Sequence, residues 1–285
     1  MDEKIKLKDV KIRKLILVSI VMMVLTIIIG VCLGMYAELT GKSFDTAIMG
    51  AELIVRTLFL IVIWRMIIPK KSKILKAIKG VKKEISIKEI FSIVFINIGL
   101  SIGVSSIFLA VLIFVDINGA NAAINEQIMP VASKIDYFIF VILGVLIAPV
   151  LEEFIYRGIL FRRLGKRFGL WAGIIVSSII FGSRHITLSS IGAMIFGITS
   201  CILYMKYKNI LVPMLVHFIN NSLAFGLEIL GGIDIEEMNE VVTLTISDGI
   251  GELLIGVVVL TVSVFFFVRF IKKNKQYVSK GVEIA

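Results

Sequence analysis

Residues 148–160 read APVLEEFIYRGIL, a stretch in which three ionisable side chains stand in an otherwise apolar run. Glu153 and Arg157 are four residues apart, so on an α-helix they share a face and can form an ion pair. Glu152 points about 100° away from Glu153, because a helix completes one turn in about 3.6 residues. The arginine can therefore neutralise one carboxylate while the other faces a cavity.

The surrounding chain has the composition of a membrane protein. Of its 285 residues, 58% are hydrophobic, and the mean hydropathy of +0.99 exceeds the range of ordinary soluble domains. Apolar runs of about 20 residues, which cross a hydrocarbon core of about 30 Å as a helix, recur along the chain. We predict an all-α, polytopic membrane protein with about eight transmembrane helices. The predicted spans are 15–37, 48–68, 90–115, 136–160, 169–186, 188–205, 210–230 and 250–270.

The positive charges predict an orientation in the membrane. The net charge is +10, and most of the 31 Lys and Arg residues lie in alternate loops and near both ends of the chain. This distribution follows the positive-inside rule and argues against a nucleic-acid partner. We expect an integral, multi-pass protein of the cell membrane, surrounded by lipid, with both termini in the cytoplasm.

The longest polar connection, residues 69–90, divides the chain into two portions. We predict a two-helix membrane portion with a basic cytoplasmic loop at 1–88 and a six-helix portion at 89–285. The connection has the composition of an amphipathic interfacial helix. Cys32 and Cys201 both lie in apolar runs, so we expect two buried packing thiols rather than a disulfide framework or a thiolate zinc cluster.

Charges within a membrane span need a physical reason. One charged side chain at the bilayer centre costs about 2.5 to 3.5 kcal/mol on insertion scales. The group at 152–157 could simply mark the cytoplasmic end of a helix, where charges are common. The chain's two histidines, His185 in IIFGSRH and His217 in VPMLVHFINNS, both lie in predicted spans. A single intramembrane histidine often only hydrogen-bonds a neighbouring helix. Both histidines together with the doubly acidic helix indicate a functional site.

The depths of these residues are broadly consistent with one site. With a rise of about 1.5 Å per residue from each predicted cytoplasmic helix end, Glu152, His217 and Asn221 lie about 14, 10 and 16 Å deep. Those three side chains can meet. His185 lies about 21 Å deep on the same estimate. A tilt of its helix, or a break at Gly182, is required to bring it level with the others.

Three short motifs carry a resemblance to a known family. EEFIYR, FGSRH and HFINN resemble the E-E-x-x-x-R, F-x-x-x-H and H-x-x-x-N/D motifs of the CAAX protease and bacteriocin-processing enzymes. This family is also called the type II CAAX prenyl endopeptidase or Abi family. All three motifs occur in order within residues 148–222, each on its own predicted helix. The resemblance implies a family of membrane-embedded proteases.

The resemblance also implies a role for each motif residue. Glu152 and His185 would activate a water molecule, and His217 and Asn221 would stabilise the oxyanion. These residue types suit the chemistry, because peptide hydrolysis needs a general base near neutral pH. Amide and imidazole N–H groups are suitable oxyanion donors, each contributing about 3 to 4 kcal/mol in known hydrolases. Water has to reach these groups, so we expect a polar cavity open to the cytoplasm.

Glu153 and Arg157 would, by the same resemblance, be the supporting pair that orients the glutamate helix. The sequence contains neither an H-E-x-x-H zinc helix nor a G-x-S-x-G nucleophile elbow. A Ser–His pair with Ser183 or Ser222 would leave the glutamates unexplained. Zinc is an alternative, since two histidines and a glutamate form an open catalytic ligand set. Asn221 is a poor zinc ligand, so we expect catalysis without a metal cofactor.

These observations predict an intramembrane endopeptidase that cleaves a membrane-associated protein or peptide near the cytoplasmic side. The alternative is a non-catalytic membrane scaffold, regulator or bacteriocin-immunity protein in which the same polar cluster holds helices together. A transporter is a third hypothesis, because buried Glu, Arg and His also form proton relays. The identity of the substrate does not follow from the sequence.

Overall fold

The structure, a computed structural model, describes residues 7–69, 77–80, 85–126, 131, 133–185, 187–231 and 240–279. Within these residues the secondary structure is helical, with no β-strand. The helices are α1 (Ile12–Thr40), α2 (Phe44–Ile67), α3 (Ile87–Val115), α4 (Ile117–Ile124), α5 (Lys134–Phe168), α6 (Leu170–Gly182), α7 (Ser190–Tyr207), α8 (Leu211–Gly231) and α9 (Ile246–Ser279). A short 3-10 turn, Thr187–Ser189, precedes α7.

This architecture confirms the predicted all-α, polytopic membrane fold. In the described part of the chain, six helices are long and apolar enough to cross a membrane, namely α1, α2, α3, α5, α7 with its 3-10 turn, and α9. Shorter apolar helices, α6 and the first part of α8, occupy the two remaining predicted spans. Most of the predicted interfacial helix at 69–90 lies outside the described residues. The division of the chain into the portions 1–88 and 89–285 stays a prediction. Helix α2 of the first portion packs against α5 of the second.

Contacts between helix ends show which ends lie together. The backbone N–H of Lys8, just before α1, donates to the carbonyl of Ile67 at the end of α2, at 2.8 Å. Arg162, near the end of α5, donates to the Lys8 carbonyl at 3.1 Å. Glu89 at the start of α3 accepts from Lys206 at the end of α7. These ends carry the basic segments that the positive-inside rule predicts to be cytoplasmic.

The starts of α2 and α5 also meet, and α4 contacts the segment before α9. Thr46, at the start of α2, donates to Asp136, at the start of α5, at 3.1 Å. Asn121 of α4 accepts from the backbone N–H of Leu244, just before α9, at 2.8 Å. Because α2 and α5 meet at both their starts and their ends, these two helices run in the same direction.

The core of the bundle surrounds α5 and α7, whereas α1 and α9 lie at the periphery. In the most apolar window of α7, 56% of the residues are buried, against 11% for α1 and 17% for α9. The apolar side chains that α1 and α9 leave exposed form a surface suited to lipid. Cys32 lies on this exposed surface of α1, so the prediction of two buried thiols is wrong for Cys32 and right for Cys201.

Glycine allows α9 to pack directly on α3. A Cβ atom on Gly103 would lie 2.7 Å from the backbone nitrogen of Leu260, and a Cβ atom on Gly256 would lie 2.9 Å from that of Ile107. Only a residue without a side chain fits at such distances. Close approach through small residues is a general mode of association for membrane helices.

Candidate active site

The acidic motif lies in an irregular part of α5. Residues Ala148–Glu153 are α-helical, but the turns on both sides, Ile142–Ile147 and Phe154–Phe161, are π-helical. Pro149 stands within this part and has no backbone N–H to donate, which weakens the regular α-helical ladder. π-Helical turns inside α-helices are frequent at functional sites.

The two neighbouring glutamates have different surroundings. Glu153 is fully buried, and Arg157 is 1% exposed. Arg157 Nη1 donates to Glu153 Oε1 at 2.8 Å, which confirms the ion pair predicted from their spacing. The side chain of Glu152 is 27% exposed. One carboxylate is therefore held by an arginine in the protein interior, and the other remains accessible.

His217 brings α8 to both glutamates. Its Nδ1 atom lies 3.1 Å from Glu153 Oε1, and its Nε2 atom lies 3.8 Å from Glu152 Oε2. An ionised carboxylate can only accept hydrogen bonds, so the contact with Glu153 places a hydrogen on Nδ1. The Nε2 atom is then the nitrogen directed at Glu152. The 3.8 Å separation is longer than a direct hydrogen bond.

His185 approaches the same place from α6. The helix ends at Gly182, and His185 follows in a turn, with its Nδ1 atom 3.0 Å from the carbonyl oxygen of Phe181. The ring centroid of Phe181 lies 4.8 Å from that of His185 and 5.9 Å from that of His217. Both imidazoles therefore contact the same phenylalanine ring. The helix break at Gly182, one of the two conditions set by the depth estimate, is present.

Asn221 is placed differently from the other predicted site residues. It lies one turn after His217 on α8, and its Nδ2 atom donates to the carbonyl oxygen of Gly144 at 2.8 Å. The N–H of Ala148 donates to Leu143, five residues back. The same π-helical pattern would pair Gly144 with residue 149, which is a proline and has no N–H. Asn221 therefore supplies the donor that Pro149 lacks, and this bond fixes α8 on α5.

Aromatic rings enclose the buried ion pair. The guanidinium carbon of Arg157 lies 4.7 Å from the ring centroid of Phe181 and 5.8 Å from that of Phe196. Phe196 of α7 also contacts His217, with ring centroids 4.8 Å apart. Cation–π contacts of this kind stabilise a positive charge that has been removed from water. Phe196, Gly144 and Pro149 were not predicted from the sequence, although a proline three residues before Glu152 indicates an irregular helix.

The predicted site residues do not form a metal-binding ligand set. Among the residues that the structure describes, no group of three His, Cys, Asp or Glu side chains is arranged to hold a metal ion. The Nδ1 atom of His217 faces Glu153, and that of His185 faces the Phe181 carbonyl. The absence of a cofactor stays a prediction.

Part of the chain matches known proteins. The "Putative membrane peptidase YdiL" of Bacillus subtilis (strain 168) is 33% identical over 87 residues, which are 30% of this chain and 35% of that protein. The match thus spans about a third of the relative's length. No solved structure matches the chain significantly. Residues 134–223, which contain α5, α6, α7 and the first part of α8, match the type II CAAX prenyl endopeptidase Rce1-like family, and this confirms the resemblance carried by the three motifs.

Proposed function

We propose that this protein is an intramembrane endopeptidase that hydrolyses a peptide bond of a membrane-associated protein or peptide. The observation that carries the proposal is an accessible carboxylate beside one imidazole, with the second imidazole against the same aromatic ring. Glu152 is 27% exposed and lies 3.8 Å from His217, and both His217 and His185 contact the ring of Phe181. The family match over residues 134–223 supports the same class of activity.

Glu152 is the proposed general base. A water molecule hydrogen-bonded to Glu152 and to His185 would lose a proton to the carboxylate as its oxygen attacks the carbonyl carbon of the scissile peptide bond. The C–N bond then breaks, and Glu152 returns the proton to the leaving amine. A base acts when it is within hydrogen-bond reach of the proton that it removes. The exposure of Glu152 supports this role, because water and substrate have to reach it.

His217 and Asn221 are the proposed donors to the oxyanion. The Nδ1 hydrogen of His217 faces Glu153, so donation from Nε2 as well requires a positively charged ring, which suits a developing negative charge. An amide group has two N–H donors. One donor of Asn221 binds Gly144, and the proposal assigns the other to the oxyanion.

Glu153 and Arg157 are proposed as positioning residues rather than as groups that touch the substrate. Both are buried, and Glu153 Oε1 contacts Arg157 and His217 together. Such a network fixes the orientation of the histidine ring. Positioning of this kind is worth large factors in rate, because small displacements of reacting groups slow catalysis strongly.

A non-catalytic scaffold is the second candidate. The observation that favours it is the burial of the Glu153–Arg157–His217 cluster, which joins α5 to α8 as a structural cluster would. The two candidates differ at Glu152, which is accessible and has no structural partner as close as those of Glu153. Replacing its carboxylate by an amide keeps the shape of the side chain and removes the base.

The test is a cleavage assay with the purified protein in lipid nanodiscs and a library of membrane-anchored peptides. The proposal predicts cleavage by the wild type, and a loss of about 100-fold or more in Glu152→Gln and in His185→Ala, the scale of general acid–base catalysis. Glu240→Gln, a change at an exposed carboxylate outside the site, should cleave at the wild-type rate. A chelator should leave the rate unchanged.

Three outcomes would count against the proposal or against part of it. Normal cleavage by both Glu152→Gln and His185→Ala would remove these residues from the mechanism. A rate that is lost with the chelator and restored by zinc would overturn the expectation of metal-independent catalysis. A wild type that cleaves no member of the library, while Glu152→Gln retains its cellular phenotype, would favour the scaffold.

A further inference from the structure

A basic groove lies between the start of α1 and the end of α2, apart from the Glu152 site. Its volume is about 720 Å³. Five cationic side chains and one carboxylate line it, namely Lys8, Lys11, Arg13, Lys14, Arg65 and Asp9. All six residues are exposed. The groove therefore has a strong excess of positive charge.

Among the described residues, most of this positive charge has no carboxylate within ion-pair distance. Asp9 lies 3.4 Å from Arg163 and 3.7 Å from Lys166, both of α5, so its charge is shared with cations outside the groove. Within the described part of the chain, Lys11, Arg13 and Lys14 have no carboxylate partner within ion-pair distance. An anion in the groove would meet several cations that have no carboxylate partner in the described part of the chain.

The groove also has an apolar wall on its membrane side. Val18 of α1 and Val62 and Met66 of α2 line this wall. Beyond it, the outer face of α1 is apolar, with Ile16 53% and Leu17 62% exposed. Cations at a helix end next to an exposed apolar face match a ligand that has an anionic head and apolar chains.

We propose that this groove binds an anionic phospholipid, with its phosphodiester among Lys11, Arg13 and Lys14 and its acyl chains along Val18 and Val62. A free phosphate ion would use the same cations, but it would gain nothing from the apolar wall. Basic residues next to a membrane helix contribute about 1 kcal/mol each to the attraction of anionic lipid. The wall and the cations together therefore point to a lipid headgroup.

The position of the groove connects it to the helix that carries Glu152. Arg162 of α5 donates to the Lys8 carbonyl at 3.1 Å, and Arg163 donates to the Val10 carbonyl at 2.8 Å. Lys8 in turn is bonded to Ile67 of α2. A lipid that holds the start of α1 against α2 would therefore also stabilise the attachment of both helices to α5.

The test compares lipid retention and thermal stability in the purified full-length protein. Phosphatidylglycerol bound after delipidation is counted by native mass spectrometry, and the Tm is measured in phosphatidylcholine nanodiscs with and without phosphatidylglycerol. We expect phosphatidylglycerol to be retained and to raise the Tm of the wild type. The variant Lys11→Gln/Arg13→Gln/Lys14→Gln should retain it at least about tenfold less well and show no rise in Tm.

A matched control removes the same charge elsewhere. Lys79→Gln/Lys272→Gln/Lys275→Gln changes three exposed lysines outside the groove, and it should retain phosphatidylglycerol like the wild type. If both triple variants lost phosphatidylglycerol to the same extent, the proposal would be overturned, because the total surface charge rather than the groove would bind the lipid. Displacement of the lipid by millimolar glycerol phosphate would overturn the assignment to a lipid. An unchanged Tm of the groove variant in pure phosphatidylcholine shows that it still folds.

Discussion

At the residue scale, the decisive feature is a single carboxylate oxygen that serves two partners. Glu153 Oε1 contacts both Arg157 and His217, and all three side chains are buried. Glu153→Ala leaves the arginine buried without its counter-charge, so we expect the free energy of unfolding to fall by about 3 to 5 kcal/mol. Thermal or denaturant unfolding in detergent measures this change. The double variant Glu153→Leu/Arg157→Leu should lose less stability than Glu153→Ala, because it leaves no buried arginine without a counter-charge.

The control for this prediction is an ion pair on the protein surface. Asp9 and Arg163 lie 3.4 Å apart, with side chains 45% and 28% exposed, so Asp9→Asn should cost at most about 1 kcal/mol. Equal losses of stability in Glu153→Ala and Asp9→Asn would contradict the importance of burial.

The ion pair of Glu153 was predictable from sequence, because residues four apart on a helix are neighbours whatever the tertiary structure. The burial of Glu153 and its contact with His217 were not, because they depend on α8.

At the element scale, Asn221 of α8 donates to a backbone carbonyl in the first π-helical turn of α5. Asn221→Ala leaves the Gly144 carbonyl without its donor, so we expect stability to fall by about 1 to 3 kcal/mol. The neighbouring Asn220 makes a contact of 3.4 Å with Asn221, and Asn220→Ala should cost clearly less. Unfolding of the two variants in the same detergent compares them directly. If Asn221→Ala were as stable as the wild type, the Gly144 bond would not fix α8 on α5.

The contact between α3 and α9 provides a second test at this scale. A methyl group at Gly103 would collide with the backbone of Leu260, so Gly103→Ala should destabilise the protein by about 1 to 3 kcal/mol. A Cβ atom at Gly50 has open space around it, and Gly50→Ala should leave stability nearly unchanged. A Tm measurement compares the stability of the two variants with that of the wild type. A neutral Gly103→Ala would show that α9 can move away from α3 without cost.

The elements themselves were largely predictable, but their irregularities were not. Long apolar runs identify membrane helices because the hydrocarbon core sets their length. The run at 169–186 was nevertheless predicted too long, since α6 ends at Gly182. In the π-helical turn Ile142–Ile147, the carbonyl of Gly144 accepts from Asn221 of α8, because Pro149 has no N–H. No periodicity within α5 alone specifies that donor.

At the scale of the whole molecule, the basic helix ends lie together, and the positive-inside rule predicts that they face the cytoplasm. In intact cells, a membrane-impermeant maleimide should therefore fail to label Lys14→Cys and Lys272→Cys and should label Lys134→Cys. All three positions are exposed, and Cys32 and Cys201 are replaced by serine in the background. Labelling of Lys14→Cys without permeabilisation would contradict the predicted orientation. Charge counts predict orientation from sequence, but they carry no information on which helices pack together.

The central claim at this scale is that α5, α6 and α8 converge on one site. The motifs predict that their side chains meet, but the sequence does not show how the three helices pack. The most direct test is the ratio of kcat/KM between the wild type and Glu152→Gln in nanodiscs, with a membrane-anchored peptide that the wild type cleaves. We predict a fall of about 100-fold or more with the Tm of the variant unchanged. Equal kcat/KM values for the two proteins would contradict the claim that these helices assemble a hydrolytic site.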